Sequence, residues 1–493
     1  MGNYKTYRYI WVVVLVFAGC NDFLDVNPDN RVELNDLDKA QQLLTNAYSV
    51  ASPTFTDWMT DDFTYTFGTT IRPAHAQMYA WEDVNTSPDE QDTPDYFWYE
   101  TYAAIAHANE VLAVLDELPV DSDEDQAKKL AVEAEALLTR AYGHFMLVNM
   151  FGEHYETSTS ALGIPYVTKP ETTFLAEYER LSVSRVYSRI EDDLVEGLEK
   201  LDDSFYSNSG KYHFNQNAAL AFASRFYLYK GDRIRSLQYS NQLLGDNPQA
   251  YIRDFNSTEY QAAKSSIDGY PQLYSGVDEP ANLLLMRKIS LMQRTDFAFG
   301  IEENYYGQLF ASNPFGATDE RENPAFVKGL NALFPLRYES LFERSSLNSN
   351  TGTPYHIGVM FRGEEVLFNR IEANIYSGNL TDALADFQVL TDRRYSGVAD
   401  LTLTLDRLRT FFGADNEPSF TNQLILLNYL LIERRKEFIA QGMRWFDIKR
   451  FGMEVTHQYG DSGSATLTAD DPRKILQIPQ SAQDVGGLEA NPR

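Results

Sequence analysis

The sequence predicts a mostly α fold: tetratricopeptide-like helix pairs packed against an irregular, loop-rich lobe with few short strands. Three observations predict it. Apolar residues recur at helical spacing over several long stretches. Two of those stretches match each other at one constant offset, as internal repeats do. Between them, from about residue 246 to 360, the helical period gives way to Pro, Gly, Asn, Ser and scattered aromatics. A stretch of that length without long helices reads as a functional or elaborated lobe rather than a linker.

The chain opens with Lys5 and Arg8, then the apolar run Ile10 to Phe17, then Ala18-Gly19 before Cys20, the only cysteine. Charge, apolar run and small residues come in the order of a secretory signal, and the run falls short of the roughly 20 residues that span a bilayer. Small residues immediately before a cysteine are what a lipoprotein signal peptidase needs. Residues 1–19 are therefore expected to be a signal peptide, and Cys20 to carry lipid at a new N-terminus. With Cys20 acylated, no thiol remains for a disulfide, and the exported chain is held by its core alone. Residues 20–35 read as a polar, Pro-containing tether.

Residues 36–493 read as a single domain with no sharp break in composition, in three parts: 36–245, 246–360 and 361–493. Asp36–Ala51 has helical spacing (Leu37, Ala40, Leu43, Leu44, Ala47), whereas residues 52–95 lose the period and read as irregular loop. Helices are expected at Tyr96–Leu118 and Gln126–Phe151. The acids Asp121, Asp123 and Asp125 between them resemble the start of a calcium loop. Its sixth and twelfth positions are Gln126 and Val132, so a solvated acidic turn is the better reading. Val183–Leu201 is amphipathic.

The repeat follows. Leu220, Leu228, Tyr229, Gly231, Leu237 and Leu243 recur as Leu367, Ile375, Tyr376, Gly378, Leu384 and Leu390. Each set describes a helix, a glycine cap and a returning helix, with shared leucines filling the seam. Small residues at Ser236 and Ala383 allow close approach. The second copy has Phe387 where the first has Ser240. Leu424–Arg450 reads as helix broken near Gly442, and the last thirty residues as extended or loop.

The formal net charge is −29, and removing residues 1–19 takes away two basic residues and no acid, leaving −31. Such a surface argues against nucleic acid or anionic lipid as a partner. A hydrophobic content of 43% excludes general disorder. With 31 Tyr and 30 Phe, the chain holds more aromatics than a core alone requires, so some are available to a binding surface.

Glu433-Arg434-Arg435-Lys436-Glu437 invites a catalytic reading, with paired carboxylates as acid and base. Helical spacing puts Glu433 and Glu437 on one face and turns Arg434 and Arg435 away. Arginine forks bonding carboxylates of neighbouring helices make a structural clamp the better reading. Arg444 and Asp447, beside Trp445, are assigned to the same network, with Arg362/Glu365 and Arg370/Glu372 as its other half. Gly460-Asp461-Ser462-Gly463 resembles a serine-protease nucleophile turn, but no histidine carries the matching motif and a double β-barrel is not predicted. No zinc, phosphate-loop or other metal motif is present, so no catalytic residue, metal or cofactor is expected.

Sugar binding needs flat apolar faces together with planar polar groups that bond adjacent hydroxyls, and loops carry such sites more often than helix interiors do. Residues 55–82 offer Trp58, Asp61, Asp62, Tyr65, Arg72, Gln77, Tyr79 and Trp81, and the second loop region offers Tyr305 and Tyr306. The ligand set read from them is Trp58, Tyr65, Arg72, Tyr79, Trp81, Tyr305 and Tyr306. Trp98 is assigned to the core.

Several segments in order resemble the SusD/RagB family of surface nutrient-binding lipoproteins. They are Cys20-Asn21-Asp22-Phe23-Leu24-Asp25 with Pro28, Thr101–Leu112, Arg140-Ala141-Tyr142 through Gly152, Gly163-Ile164-Pro165, and Arg362 to Ala373. Glu433 to Phe438 with Gly442 and Arg444-Trp445-Phe446-Asp447-Ile448, then Ile478-Pro479-Gln480-Ser481, complete the series. The resemblance implies about four tetratricopeptide-like pairs, an outer-membrane location facing the exterior, and a SusC-like TonB-dependent barrel as partner. It implies an oligosaccharide ligand, or a peptide in other branches, and no catalysis. An acidic surface suits basic peptides, whereas neutral glycans are indifferent to it. Two other readings are an all-α glycoside hydrolase, needing carboxylates roughly 5–9.5 Å apart across a cleft, and a helical scaffold without a small ligand.

Overall fold

The computed structural model describes residues 34–65, 71–171, 177–206, 210–294, 298–322, 326–329, 331–459 and 463–493. The expected signal, Cys20, most of the tether and the Gly460-Asp461-Ser462 turn lie outside the described residues.

Helix α1 (Leu37–Leu44) starts on the Asp36 side chain, which accepts from the Lys39 amide at 2.8 Å. It is shorter than its apolar spacing suggests. Its final turn tightens to bonds between residues three apart, Asn46 to Leu43 and Ala47 to Leu44, which releases the chain toward Tyr48. Residues 52–95 are more ordered than expected. A 3₁₀ turn (Pro53–Met59), strand β1 (Thr64–Tyr65) and helix α2 (Pro73–Tyr79) occupy them, and Phe55, Trp58, Met59 and Met78 are buried there.

Helices α3 (Pro94–Val114), α4 (Asp123–Phe151) and α5 (Val183–Lys200) are capped by Thr93, Ser122 and Ser182. The acidic stretch forms the first turn of α4, where Asp123, Glu124 and Asp125 sit at the positive end of the helix dipole. Helices α6 (Gln216–Lys230) and α7 (Arg233–Leu244) form the first hairpin of the repeat. Gly231 turns it at φ +83°, and Gly378 turns the second at φ +81°, a conformation open to glycine at no steric cost. Where the aromatic is missing, Ser240 and Ser224 hydroxyls bond at 2.8 Å and Ser236 donates to the Ser224 carbonyl at 3.0 Å.

The lobe holds α8 (Thr258–Ala263), α9 (Gly269–Tyr274), β2 (Asn282–Lys288), β3 (Phe299–Glu302), α10 (Glu303–Ala311) and β4 (Thr318–Asp319). Strands β5 (Phe326–Lys328), β6 (Ala332–Pro335), β7 (Ser340–Arg344) and β8 (Gly352–Arg362) follow. Two antiparallel sheets organise it, in the orders β1-β3-β6-β5 and β2-β8-β7. The first pairs Tyr65 with Phe299 across distant sequence.

Strand β8 runs straight into α11 (Gly363–Tyr376), which forms the second hairpin with α12 (Leu380–Arg394). Strand β9 (Tyr395–Ser396) pairs with β4, and α13 (Leu405–Phe411) leads to α14 (Asn422–Phe438). The expected break comes at Ala440 (φ +60°) and Gly442 (φ +74°), before α15 (Arg444–Arg450). The final segment folds into a hairpin of β10 (Val455–Gln458) and β11 (Ser464–Leu467), a 3₁₀ turn (Pro472–Lys474) and α16 (Gln480–Asp484). One continuous core runs from the 3₁₀ turn at Pro53 through α4, α6, α11 and α14, with smaller clusters under α1 and within the lobe. No described helix is long and apolar enough to cross a membrane.

Candidate ligand-binding face and its charge clamp

The carboxylates of α14 are wholly engaged. Glu433 and Glu437 both accept from Arg321, at 2.8 and 3.2 Å, and Glu437 also accepts two bonds from Arg394 at 2.9 Å. Burial opposes ionisation of Glu437, but Arg394 and Arg321 outweigh it and hold its pKa down at about 2. Such a group stays ionised and has no proton to give. Arg434, on the other side of the helix, forks onto Asp447 at 3.0 and 3.1 Å, and Arg450 joins Asp447 to the fully buried Glu372.

The rest of the expected network pairs differently. Arg444 bonds Asp61 at 2.9 Å rather than Asp447, Arg370 bonds Asp386 at 2.6 and 2.8 Å, and Glu365 bonds Arg225 at 2.5 Å. Arg362 donates to the Gln441 carboxamide and the Val359 carbonyl. Sequence proximity misled here because the side-chain partners come from other elements: Asp61 for Arg444, Asp386 for Arg370, Arg225 for Glu365 and Gln441 for Arg362.

Four of the seven expected ligand contacts belong to the core. Trp58 is fully buried, 4.3 Å from His75 and 5.6 Å from Phe299 between ring centroids. Trp81 is 3% exposed and donates its indole N–H to the Met59 carbonyl at 2.9 Å. Tyr79 is buried, and so is Tyr306, whose ring packs on Phe310 at 4.7 Å. These rings cannot stack on a ligand without opening the fold, which corrects the expectation that they face solvent. Three of them build a column instead. Trp81 stacks on His457 at 4.2 Å, His457 on Tyr79 at 4.1 Å and Tyr79 on Phe299 at 4.8 Å, while Trp58 lies against Phe299 from the side. Both His457 nitrogens lie 2.8 Å from carbonyl oxygens, of Tyr79 and Thr60, pinning the β10–β11 hairpin to the column.

The other three reach the surface around that column. Tyr65 lies 6.1 Å from Phe299, and Arg72 is exposed at the start of α2. Tyr305 is half-buried in the first turn of α10, where Glu302 accepts its amide at 2.7 Å. Its hydroxyl donates to Asp62 at 3.2 Å. Tyr459 joins them, edge-on to Tyr79 at 5.7 Å and half-buried. Sequence reading missed Tyr459, although the alternation of Val455, His457 and Tyr459 marks a strand with one aromatic face. Asp61 and Asp62, offered as hydroxyl binders, instead hold Arg435 and Arg444. The face presents the partly exposed rings of Tyr65, Tyr305 and Tyr459, while Glu302 is engaged by the Asn304 and Tyr305 amides and Glu303 by Lys328 at 2.8 Å.

A family model described as starch-binding and associating with the outer membrane matches residues 22–228, and the SusD family model matches residues 340–484. SusD-like protein P2 of Formosa agariphila is 22% identical over 445 residues, covering 81% of this chain and 80% of its own. A SusD superfamily protein of Bacteroides thetaiotaomicron superposes with a TM-score of 0.66 at 20% identity, covering 93% of this chain and 100% of that one. A laminarin-binding SusD-like protein does so with a TM-score of 0.61 at 18% identity, covering 92% and 98%. Two matching models in order along one chain, over a fold of tetratricopeptide-like pairs, show that the chain belongs to the SusD/RagB family.

Proposed function

We propose that this protein is a lipid-anchored outer-membrane protein, exposed at the cell exterior, that binds oligosaccharide and hands it to a TonB-dependent barrel. The observation that carries the reading is the rim of Tyr65, Tyr305 and Tyr459 around a buried aromatic column. Sugar rings pack their C–H faces on such rings, and a rigid support lowers the ordering cost of binding. The matched family description and the fold shared with a laminarin-binding protein support the same ligand class. The reading takes binding as non-covalent, since Glu433 and Glu437, the carboxylates that invited a catalytic reading, are saturated by arginines. Lipid on Cys20 provides the anchor.

Affinity electrophoresis against a panel of neutral polysaccharides tests the reading. At least one polysaccharide should retard the wild-type protein, and Tyr65→Ala with Tyr305→Ala should abolish the retardation without lowering the melting temperature. Retardation by none of them, tight binding of basic peptides, or new reducing ends on incubation would each overturn it.

A further inference from the structure

A second concave site lies away from the aromatic rim. It is a groove of about 430 Å³ between the end of α1, the solvent side of α3, the turn at Tyr212 and strand β2. Helix α3 contributes Glu100, Ala103, Ala104 and His107, which helical spacing puts on one face. The two alanines keep that face low and apolar, and strand β2 closes the groove at Leu285 and Met286.

The polar groups of the groove divide into two sets. The rear wall is internally bonded. Tyr48 donates to the fully buried Glu135 at 2.5 Å, His213 meets the same carboxylate at 2.7 Å, and the Phe214 amide donates to the Tyr48 hydroxyl at 2.8 Å. The front is unspent. Asn46, Glu100, His107 and Tyr212 line the void, and none of their side chains bonds to another group among the described residues. Arg287, tied to Glu343 at 2.6 Å, leaves its Nε–H without a partner. Tyr212 presents its ring to solvent at 40% exposure. Burial, with Asp89 nearby, raises the Glu100 pKa, and burial lowers that of His107, so each gains from a hydrogen-bonding ligand.

The cleft between the two helix hairpins, about 680 Å³, offers a contrast. There Arg370 is already bonded to Asp386 and to the Gly245 carbonyl, so its one buried cation is spent.

We infer that the α3–β2 groove is a second saccharide subsite, holding one or two neutral sugar units between the Tyr212 ring and the apolar face of α3. Hydroxyls would donate to Glu100 and accept from Asn46 and His107. An acidic sugar is disfavoured by Glu100 and by the net charge of −29. The ligand class rests on the glycan reading above; the position does not, since the groove shares no residue with the rim of Tyr65, Tyr305 and Tyr459.

Calorimetric titration with neutral hexasaccharides (malto-, laminari-, xylo- and manno-linked) separates the two. For the sugar that binds, the wild-type protein should take up two equivalents. Tyr212→Ala and Glu100→Gln, both melting like wild type, should each lose one equivalent or weaken it at least tenfold. The double variant Tyr65→Ala/Tyr305→Ala should keep that equivalent. A single equivalent unaffected by Tyr212→Ala overturns the second subsite and leaves the rim standing. Binding of trilysine that Glu100→Gln abolishes, with no sugar bound by the rim double variant, overturns the saccharide assignment of the groove. No binding of any hexasaccharide overturns both sites.

Discussion

Arg435 Nε donates to Asp62 Oδ1 at 2.6 Å, joining residues 373 positions apart in the chain. Its guanidinium carbon also lies 5.2 Å from the Tyr305 ring centroid, and Tyr305 itself donates to Asp62. One arginine thus belongs both to the clamp on α14 and to the support of the candidate face.

Neighbouring arginines on α14 should therefore fail differently. Arg434→Ala leaves buried Asp447 with only Arg450 at 3.6 Å and should cost about 3–5 kcal/mol, read by urea denaturation, with ligand affinity unchanged in the folded fraction. Arg435→Ala should lower stability as well and, by freeing Asp62 and Tyr305, weaken sugar binding. The purely structural reading of the cluster thus holds for Arg434, whereas Arg435 also supports the candidate face. Equal affinities in the two variants would contradict this division.

Aromatic substitutions should sort by depth. Trp81→Ala removes a buried ring from the column along with its bond to Met59 and should cost about 3–5 kcal/mol. Tyr65→Ala should leave thermal unfolding nearly unchanged and reduce retention on polysaccharide gels. A Trp81→Ala protein that melts like wild type would disprove the column's structural role.

His356 supplies an acid-sensitive term. It is fully buried, stacked on Tyr338 at 5.3 Å, and neither ring nitrogen bonds to a group among the described residues. Burial, then Lys288 and Arg294, lower its pKa from 6.5 to about 3. The folded state refuses a proton that the unfolded state accepts, so the associated stability is full above pH 6.5 and drains as pH falls toward 3. At pH 5 the loss is about 2 kcal/mol. His356→Phe should thus gain about 2 kcal/mol over wild type at pH 5 relative to their difference at pH 8, measured by denaturant titration at both pH values.

The serine seam of the first hairpin offers a packing test. Ser240→Phe, copying the residue that the second hairpin carries as Phe387, forces a ring into a site closed by Ser224 and Ser236, and should cost about 1–3 kcal/mol. Stabilisation would show that the two seams are interchangeable.

The long helices were legible because each supplies several turns of period and most start on a capping Ser, Thr, Asn or Asp, α11 after Arg362 being an exception. Thr93, Ser122, Ser182, Asn215 and Thr421 all cap as their types predict. The short elements of residues 52–95 and of the lobe were not. Two-residue β1 or four-residue β3 shows no period, and their order in space depends on pairing across more than two hundred residues. Nothing local distinguishes Trp58, which is buried, from Tyr65, which reaches the surface. Phe299 arrives from β3 against both rings, and Trp58 is closed over by His75 of α2 as well. Arg321 and Arg394, which saturate Glu433 and Glu437, were unnamed for the same reason.

The aromatic column separates what must stay from what is free to change. Its rings are buried, whereas Tyr65 and Tyr459, which pack against Phe299 and Tyr79, and Tyr305 are only partly so. Exchanging those outer side chains leaves the supporting stack intact. Preference for a new nutrient can thus arise by small steps at the tip, with the scaffold never passing through an unstable intermediate.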